Sequence, residues 1–268
     1  MKLGVFGLGN MGAAIVRGAL AAEAVRGEAL WLFDPWPDAG SDLPGVRVSE
    51  PADVIAEADI LLLATKPDGI VPLLRVLGEG GALAGKTIVS VAAGLRIDSM
   101  RAAFGDEAPL IVRAMPNIAS SVRAGVTAWK SDRAPSDVER RQIETLLGAI
   151  GAVIELPKEE LFHAFTGAVG SGISYLFLAA EAIADGAVAE GLPRPLAQAA
   201  ATAAIFGAGS LLRSSDESPA VWKDRVCSPG GTTIEGIAAL ERAGARDAFI
   251  GAVRAASARS RALADLSK

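Results

Sequence analysis

Residues Lys2–Gly12 read KLGVFGLGNMG. Lys2–Phe6 is a nearly continuous apolar run of strand character, and from Gly12 onward the apolar residues recur at helical spacing. Between the two, Gly7, Gly9 and Gly12 form a G-x-G-x-x-G array. In a strand–turn–helix setting the three glycines have separate duties. Gly7 allows the tight turn, Gly9 lets a pyrophosphate approach the backbone, and Gly12 lets the helix pack on the sheet. Leu8, Asn10 and Met11 complete the expected phosphate loop, where free amides of the helix start face the anion. The plainer alternative is a glycine-tolerant turn in a compact α/β domain; the strand before and the helix after favour a dinucleotide.

Outward from this stretch the same alternation continues to about Pro157. Strand-like runs occupy Ala29–Asp34, Ala58–Thr65, Lys86–Ala93, Ala108–Met115, Ala124–Trp129 and Gly151–Leu156. The earlier ones are almost wholly apolar, as expected of strands covered by helices on both faces. Gly12–Ala24, Pro51–Ala58 and Ile97–Phe104 carry helical spacing. This predicts a Rossmann-type, doubly wound, mostly parallel sheet over residues 1–157. From Lys158 to Lys268 Ala, Leu and Gly dominate, with helical punctuation at EGLPRP and SSDESP. An all-helical second domain, 158–268, is expected. Its segment Ile173–Ala189 is apolar around much of its circumference, with Glu181 and Asp185 as its only charges. Such a helix must be buried, either inside one subunit or, as a small helical domain suggests, against a partner subunit.

Composition narrows the function. Hydrophobic residues are 51% and charged residues 21%, which points to a globular chain. The net charge of −5 and the lack of any Lys/Arg block argue against a nucleic-acid surface. A single cysteine, Cys227, permits no intrachain disulfide, and with one histidine, His163, no metal site is expected. No uninterrupted apolar run reaches membrane-spanning length, and glycines interrupt the N-terminal apolar run before it could form a signal peptide. A cytoplasmic protein is expected.

The other strand ends supply candidate ligand contacts, because open α/β sheets bind ligands there. Asp34, closing the second strand, can hold both hydroxyls of a cofactor ribose, while a 2′-phosphate would be repelled; no Arg or Lys follows until Arg47. This leans toward NADH over NADPH, although Asp34 could equally start the turn before Pro35. Ala64, Lys66 and Pro67 stand at the end of the Ala58–Thr65 run: Lys66 can reach a ribose, or is an ordinary surface lysine. Ala92 leaves room for a nicotinamide ring. Asn117 can meet cofactor or substrate, or cap a turn.

Late in the chain, Arg225–Gly236 reads RVCSPGGTTIEG. Thr232 followed by Glu235 has capping-box spacing, so a helix starts near Thr232 or Thr233, with Pro229, Gly230 and Gly231 as the turn leading in. Unpaired amides of Gly231, Thr232 and Thr233 would form an anion site, and the hydroxyls of Ser228, Thr232 and Thr233 exceed what a cap needs. A small carboxylate fits.

With these stretches in view the chain resembles the pyrroline-5-carboxylate reductases over nearly its full length. The resemblance rests on GLGNMG, EADILLLATKP, SVAAGL, RAMPNIASSVRAGVTAW, TGAVGSGISYLFLAAEAIADGAVAEGLPRP, SPGGTTIEGIAALERAG and the closing AASARSRAL. It implies reduction of 1-pyrroline-5-carboxylate to L-proline with hydride from NAD(P)H, and a helical domain that forms a homodimer, with dimers assembling further into rings. It also implies that Ser228, Gly230, Gly231, Thr232 and Thr233 hold the substrate carboxylate and that Thr233 hydrogen-bonds the ring nitrogen.

Departures concern the substrate. The family reads close to D-A-V-T-A-L-S-G-S-G-P-A-Y where this chain has His163–Tyr175, HAFTGAVGSGISY. A serine hydroxyl is lost at Val169, Ile173 adds bulk and Ser174 replaces alanine, so a different cyclic imine is one alternative. Another is the β-hydroxyacid dehydrogenase and imine reductase group. Gly167, Gly170 and Gly172 fit its glycine spacing, but Leu176 stands where its lysine is expected, which disfavours alcohol chemistry. A third is a non-catalytic NAD(P)-binding sensor, against which the complete SPGGTT turn argues.

Overall fold

The structure, a computed structural model, describes residues 1–48, 50–78, 81–104 and 108–266. By packing, the chain divides into two compact units: Met1–Phe165 with the chain from Arg261 onward, and Thr166–Ser260.

The first unit is built as strand, helix, strand. In order it contains β1 (Leu3–Phe6), α1 (Asn10–Ala21), β2 (Leu30–Phe33), β3 (Val46–Arg47), α2 (Pro51–Glu57), β4 (Ile60–Leu63) and α3 (Pro67–Gly78). It continues with β5 (Thr87–Ser90), α4 (Ile97–Arg101), β6 (Leu110–Met115), β7 (Gly125–Ser131), α5 (Asp137–Gly148), β8 (Gly151–Glu155) and α6 (Phe162–Phe165). The sheet order is β3-β2-β1-β4-β5-β6-β7-β8. All pairs are parallel except β6 with β7. That reversal has a simple cause: the link from Met115 to Gly125 is shorter than the dozen or so residues a parallel crossover needs. β3 is invisible in the sequence because it is two exposed residues at an edge, with no apolar run to announce it.

Alternation along the strands makes two cores. Leu3 and Val5 of β1 and Ile60 and Leu62 of β4 face α1 and α5, packing with Ile15, Val16, Ile143 and Leu146. Phe6, Leu61 and Leu63 face the other way, onto Val54 of α2, Ile70 and Leu74 of α3 and Met100 of α4. Each such side chain is almost fully buried, a gain of about 1.5–3 kcal/mol apiece over exposure. Glu159, just before α6, accepts from the Ile97 amide at 2.9 Å and from Arg113 Nη1 at 2.8 Å. Arg113 lies over the Phe162 ring, 4.4 Å from its centre, so the stretch leaving β8 is pinned to β6.

The second unit is helical, as expected: α7 (Gly172–Ala189), α8 (Arg194–Arg213), α9 (Pro219–Val226), α10 (Thr232–Arg242) and most of α11 (Ala245–Leu266). A π turn over Thr166–Gly170 leads into α7. It presses on α11: a Cβ added to Gly167 would stand 2.3 Å from Ser257 Oγ and 2.5 Å from the Val253 carbonyl oxygen. α7 packs along α8 through Ala184, Ala197 and Ala201. Ala184 is the only residue of α7 buried within the chain, so burial inside one subunit does not account for its apolar circumference. By length and composition alone, Glu159–Ala189 and Arg194–Arg213 are also apolar enough to cross a membrane.

Candidate active site

Because β1, β2, β4, β5 and β6 run parallel, their carboxyl ends share one edge of the sheet. Gly7 follows β1 with φ +96°, and its amide donates to Phe33 O at 2.9 Å. A Cβ there would be 2.8 Å from the backbone of Ala64, so β4's loop can approach only a glycine. Gly12 is buried, and an added Cβ would lie 2.1 Å from Gly7 O. Gly9 is different: it is exposed, and a Cβ added there would find nothing within 4 Å. It is the N-cap of α1, with no side-chain cap hydrogen bond and no acidic residue in the first turn. The amides of Asn10, Met11 and Gly12 therefore lack intrahelical acceptors, and open space lies in front of Gly9. This cradle fits a dinucleotide pyrophosphate.

Asp34 is more fully engaged than the sequence suggests. Its Oδ2 accepts from the Leu8 amide at 2.7 Å, and its Oδ1 accepts from the Trp36 amide at 2.9 Å. It does start a turn, and the same carboxylate ties the end of β2 to the glycine loop. Each oxygen retains a lone pair for a ribose hydroxyl. Beyond it, Arg17 pairs with Asp42 at 2.8 Å, and Arg47 donates to the Gly40 carbonyl. The Arg17 guanidinium holds the Asp42 carboxyl below its ordinary value. A groove runs from Leu8, Gly9 and Asn10 past this pair to Ile118.

The remaining strand ends lie on the same edge. Ala64 is half-buried, Lys66 and Pro67 are exposed, and Pro67 is the first residue of α3. Ala92 is buried after β5. Asn117 is buried after β6, and its Oδ1 accepts from the Val126 amide at 3.1 Å. Its side chain therefore ties β6's end to β7 and makes no cap bond to the short turn it precedes. Thr65 is a residue that sequence reasoning misses. Its Oγ1 is buried with no hydrogen-bond partner beside the Gly7 turn, a signal that only the folded chain carries.

In the second unit the predicted turn is present, with two corrections. α10 begins at Thr232, but its N-cap is Gly231 and no side chain caps it; the Thr232–Glu235 capping box is not made. With Gly231 extended at the cap position, Thr232 is already the first helical residue and its hydroxyl is past the capping point. The Gly231 amide is also not free, since it donates to Ser228 O at 3.0 Å. Gly230 has φ +67°, and a Cβ on Gly231 would sit 2.2 Å from Ser228 Oγ. The two glycines thus close a turn over Ser228. What remains for an anion are the first-turn amides of Thr232 and Thr233, with Ser228 and Thr232 exposed and Thr233 half-buried. Among the described residues no group of three or more His, Cys, Asp or Glu side chains is gathered to hold a metal.

Comparison with known proteins finds matches along both parts of the chain. Residues 159–263 match the family described as pyrroline-5-carboxylate reductase dimerisation, and residues 2–94 match the family described as NADP oxidoreductase, coenzyme F420-dependent. Pyrroline-5-carboxylate reductase of Synechocystis sp. is 39% identical over 267 residues, covering 98% of each chain. The pyrroline-5-carboxylate reductase structure from Coxiella burnetii superposes with a TM-score of 0.92 at 28% identity, covering 98% of both chains. The Plasmodium falciparum pyrroline carboxylate reductase, solved with NADP bound, gives a TM-score of 0.82 at 28% identity over 98% of both chains.

Proposed function

Because the chain belongs to the pyrroline-5-carboxylate reductase family, we propose a division of labour between its two parts. Residues 1–157 bind the cofactor; residues 158–268, of which 267 and 268 lie outside the described residues, pair the subunits and seat the substrate. The protein reduces 1-pyrroline-5-carboxylate to proline with NAD(P)H, and it acts as a homodimer on this small-molecule substrate. Assembly of dimers into rings and a cytoplasmic location, clear of membrane and nucleic acid, complete the reading; an acidic chain without a basic block supports the last of these.

The substrate seat is the turn Ser228–Thr233. The amides of Thr232 and Thr233 hold the carboxylate, Gly230 and Gly231 let the chain turn closely enough to present them, and the Ser228 hydroxyl adds a contact. The Thr233 hydroxyl meets the ring nitrogen and fixes which face of the C=N bond is presented. The imine nitrogen takes its proton from solvent, which makes the carbon electrophilic, so orientation carries much of the rate. The cofactor, when bound, supplies the hydride. Gly7, Leu8, Gly9, Asn10, Met11 and Gly12 hold its pyrophosphate. Asp34 and Lys66 take ribose hydroxyls, and Ala64, Pro67, Ala92 and Asn117 line the way to the ring.

The observation that carries this reading is the helix start at Thr232, which no side chain caps although three hydroxyls surround it. Thr233→Ala should lower kcat/KM for the imine roughly 10–100-fold, the loss of one hydrogen bond to a charged group. NADH affinity should stay within about twofold of the parent, on the same reasoning that the residue serves the substrate only. Weakened NADH binding with normal turnover would show that the turn serves the cofactor instead.

NADH is the preferred reductant. Asp34 presents a negative charge to a 2′-phosphate, and Arg17, the one cation of α1, is already paired with Asp42. Titration of both cofactors tests this, and markedly tighter NADPH binding refutes it.

A further inference from the structure

Trp36 is the most exposed of the large hydrophobic side chains among the described residues, at 77%. Single exposed apolar residues are common, so exposure alone means little. Three further observations distinguish this one. Its backbone amide is bound to Asp34 Oδ1, while the other oxygen of that carboxylate holds the Leu8 amide of the glycine loop. It lies between Pro35 and Pro37, each with φ held near −65°, so the loop carrying the ring is stiff. Its carbonyl accepts from the Ala39 amide at 3.0 Å, which closes the turn from the far side. An indole is thus held in solvent on a rigid mount two residues past the acid that takes the cofactor ribose.

The group attached to that ribose is adenine, a flat aromatic base one bond from the sugar. We propose that Trp36 is the adenine platform of this protein, stacking its indole on the base of the dinucleotide. The inference rests on the cofactor reading given above and adds to it a residue that serves the adenosine half alone. Stacking needs no hydrogen-bond code and acts equally on NADH and NADPH, so it is independent of the charge selection at Asp34. A stiff mount also suits it, since little loop freedom is lost on binding.

The test is a set of binding titrations on the intact protein. Trp36→Ala should weaken NADH and 5′-AMP about tenfold, in the range of base–aromatic stacking. Trp36→Phe should recover most of that loss. Reduced nicotinamide mononucleotide, which lacks the adenosine half, should bind the parent and both variants alike. Two results overturn the proposal: unchanged 5′-AMP and NADH affinity in Trp36→Ala, or equal weakening of the mononucleotide, which would mark a general loop disturbance. Gly9→Val separates this from the broader reading. If it leaves NADH binding intact, the cofactor face itself is misplaced and both ideas fall. If it abolishes binding while Trp36→Ala does not weaken it, only the platform falls.

Discussion

Gly9 and Gly12 lie on one loop, yet a methyl group added to each meets opposite surroundings. At Gly12 it would stand 2.1 Å from Gly7 O, and no movement short of displacing α1 relieves that. At Gly9 it meets nothing, and the backbone there, φ −66° and ψ −172°, suits any residue. Gly9→Val should therefore leave the denaturation midpoint nearly unchanged while lowering NADH affinity by about tenfold or more, since the side chain would fill the place proposed for the pyrophosphate. Gly12→Val should instead lose about 3 kcal/mol or more of stability, the scale of overpacking against backbone. Calorimetric titration with NADH and denaturant melts of the two variants would distinguish these outcomes. A Gly9→Val protein that melts early but binds normally would reverse the assignment.

Helix starts show how far sequence spacing reaches. Ser136 and Glu139 make a full capping box on α5: the Ser136 side chain accepts from the Glu139 amide, and Glu139 accepts from the Ser136 amide at 2.7 Å. Arg133 also binds the Glu139 carboxylate, at 2.7 Å, and this contact first, with the cap behind it, draws the carboxyl down from 4.5 to about 2. A depressed carboxylate stabilises the fold fully above its unfolded value and loses that contribution as it takes up a proton. Stability from this site should hold above about pH 4.5 and decline toward about pH 2. Glu139→Ala should cost about 1 kcal/mol at neutral pH and flatten that acid limb in pH-dependent melts; Arg133 is half exposed, so solvent screening limits the effect. An unchanged acid limb would exclude the ion pair as its cause. The same S/T-x-x-E spacing at Thr232–Glu235 locates the start of α10 correctly but not its hydrogen bonds, because the extended residue at the cap position is Gly231 and Thr232 is already helical. The strand–turn–helix at Gly7–Gly12 is legible because Gly7 and Gly12 have local steric reasons, while Gly9 leaves the helix start open. The direction of β7, the edge pair β3 and the buried Thr65 hydroxyl are not, because they depend on pairing and burial between distant segments. The two amides on Asp34 fall in the same class, since one of them comes from the other end of the β1–β2 unit.

At the scale of the molecule, the helical unit carries too much bare apolar surface to stand alone. Leu178 of α7 is 66% exposed and Phe206 of α8 is 76% exposed. Residues 159–263 match the pyrroline-5-carboxylate reductase dimerisation family, so a partner subunit is the expected cover for this face. Phe206→Asp places a charge on that face and should raise the dimer dissociation constant about thirtyfold or more, as loss of an interface anchor does. Sedimentation velocity across micromolar concentrations reads it directly, and an unchanged dimer boundary would move the contact elsewhere. The bareness of α7 and α8 also bears on biogenesis. Until a newly synthesised polypeptide meets its counterpart, two long greasy cylinders stand open to any other sticky surface in the cell. Yield on refolding should consequently be won or lost in a race between correct encounter and clumping, in which dilution starves the first and crowding feeds the second.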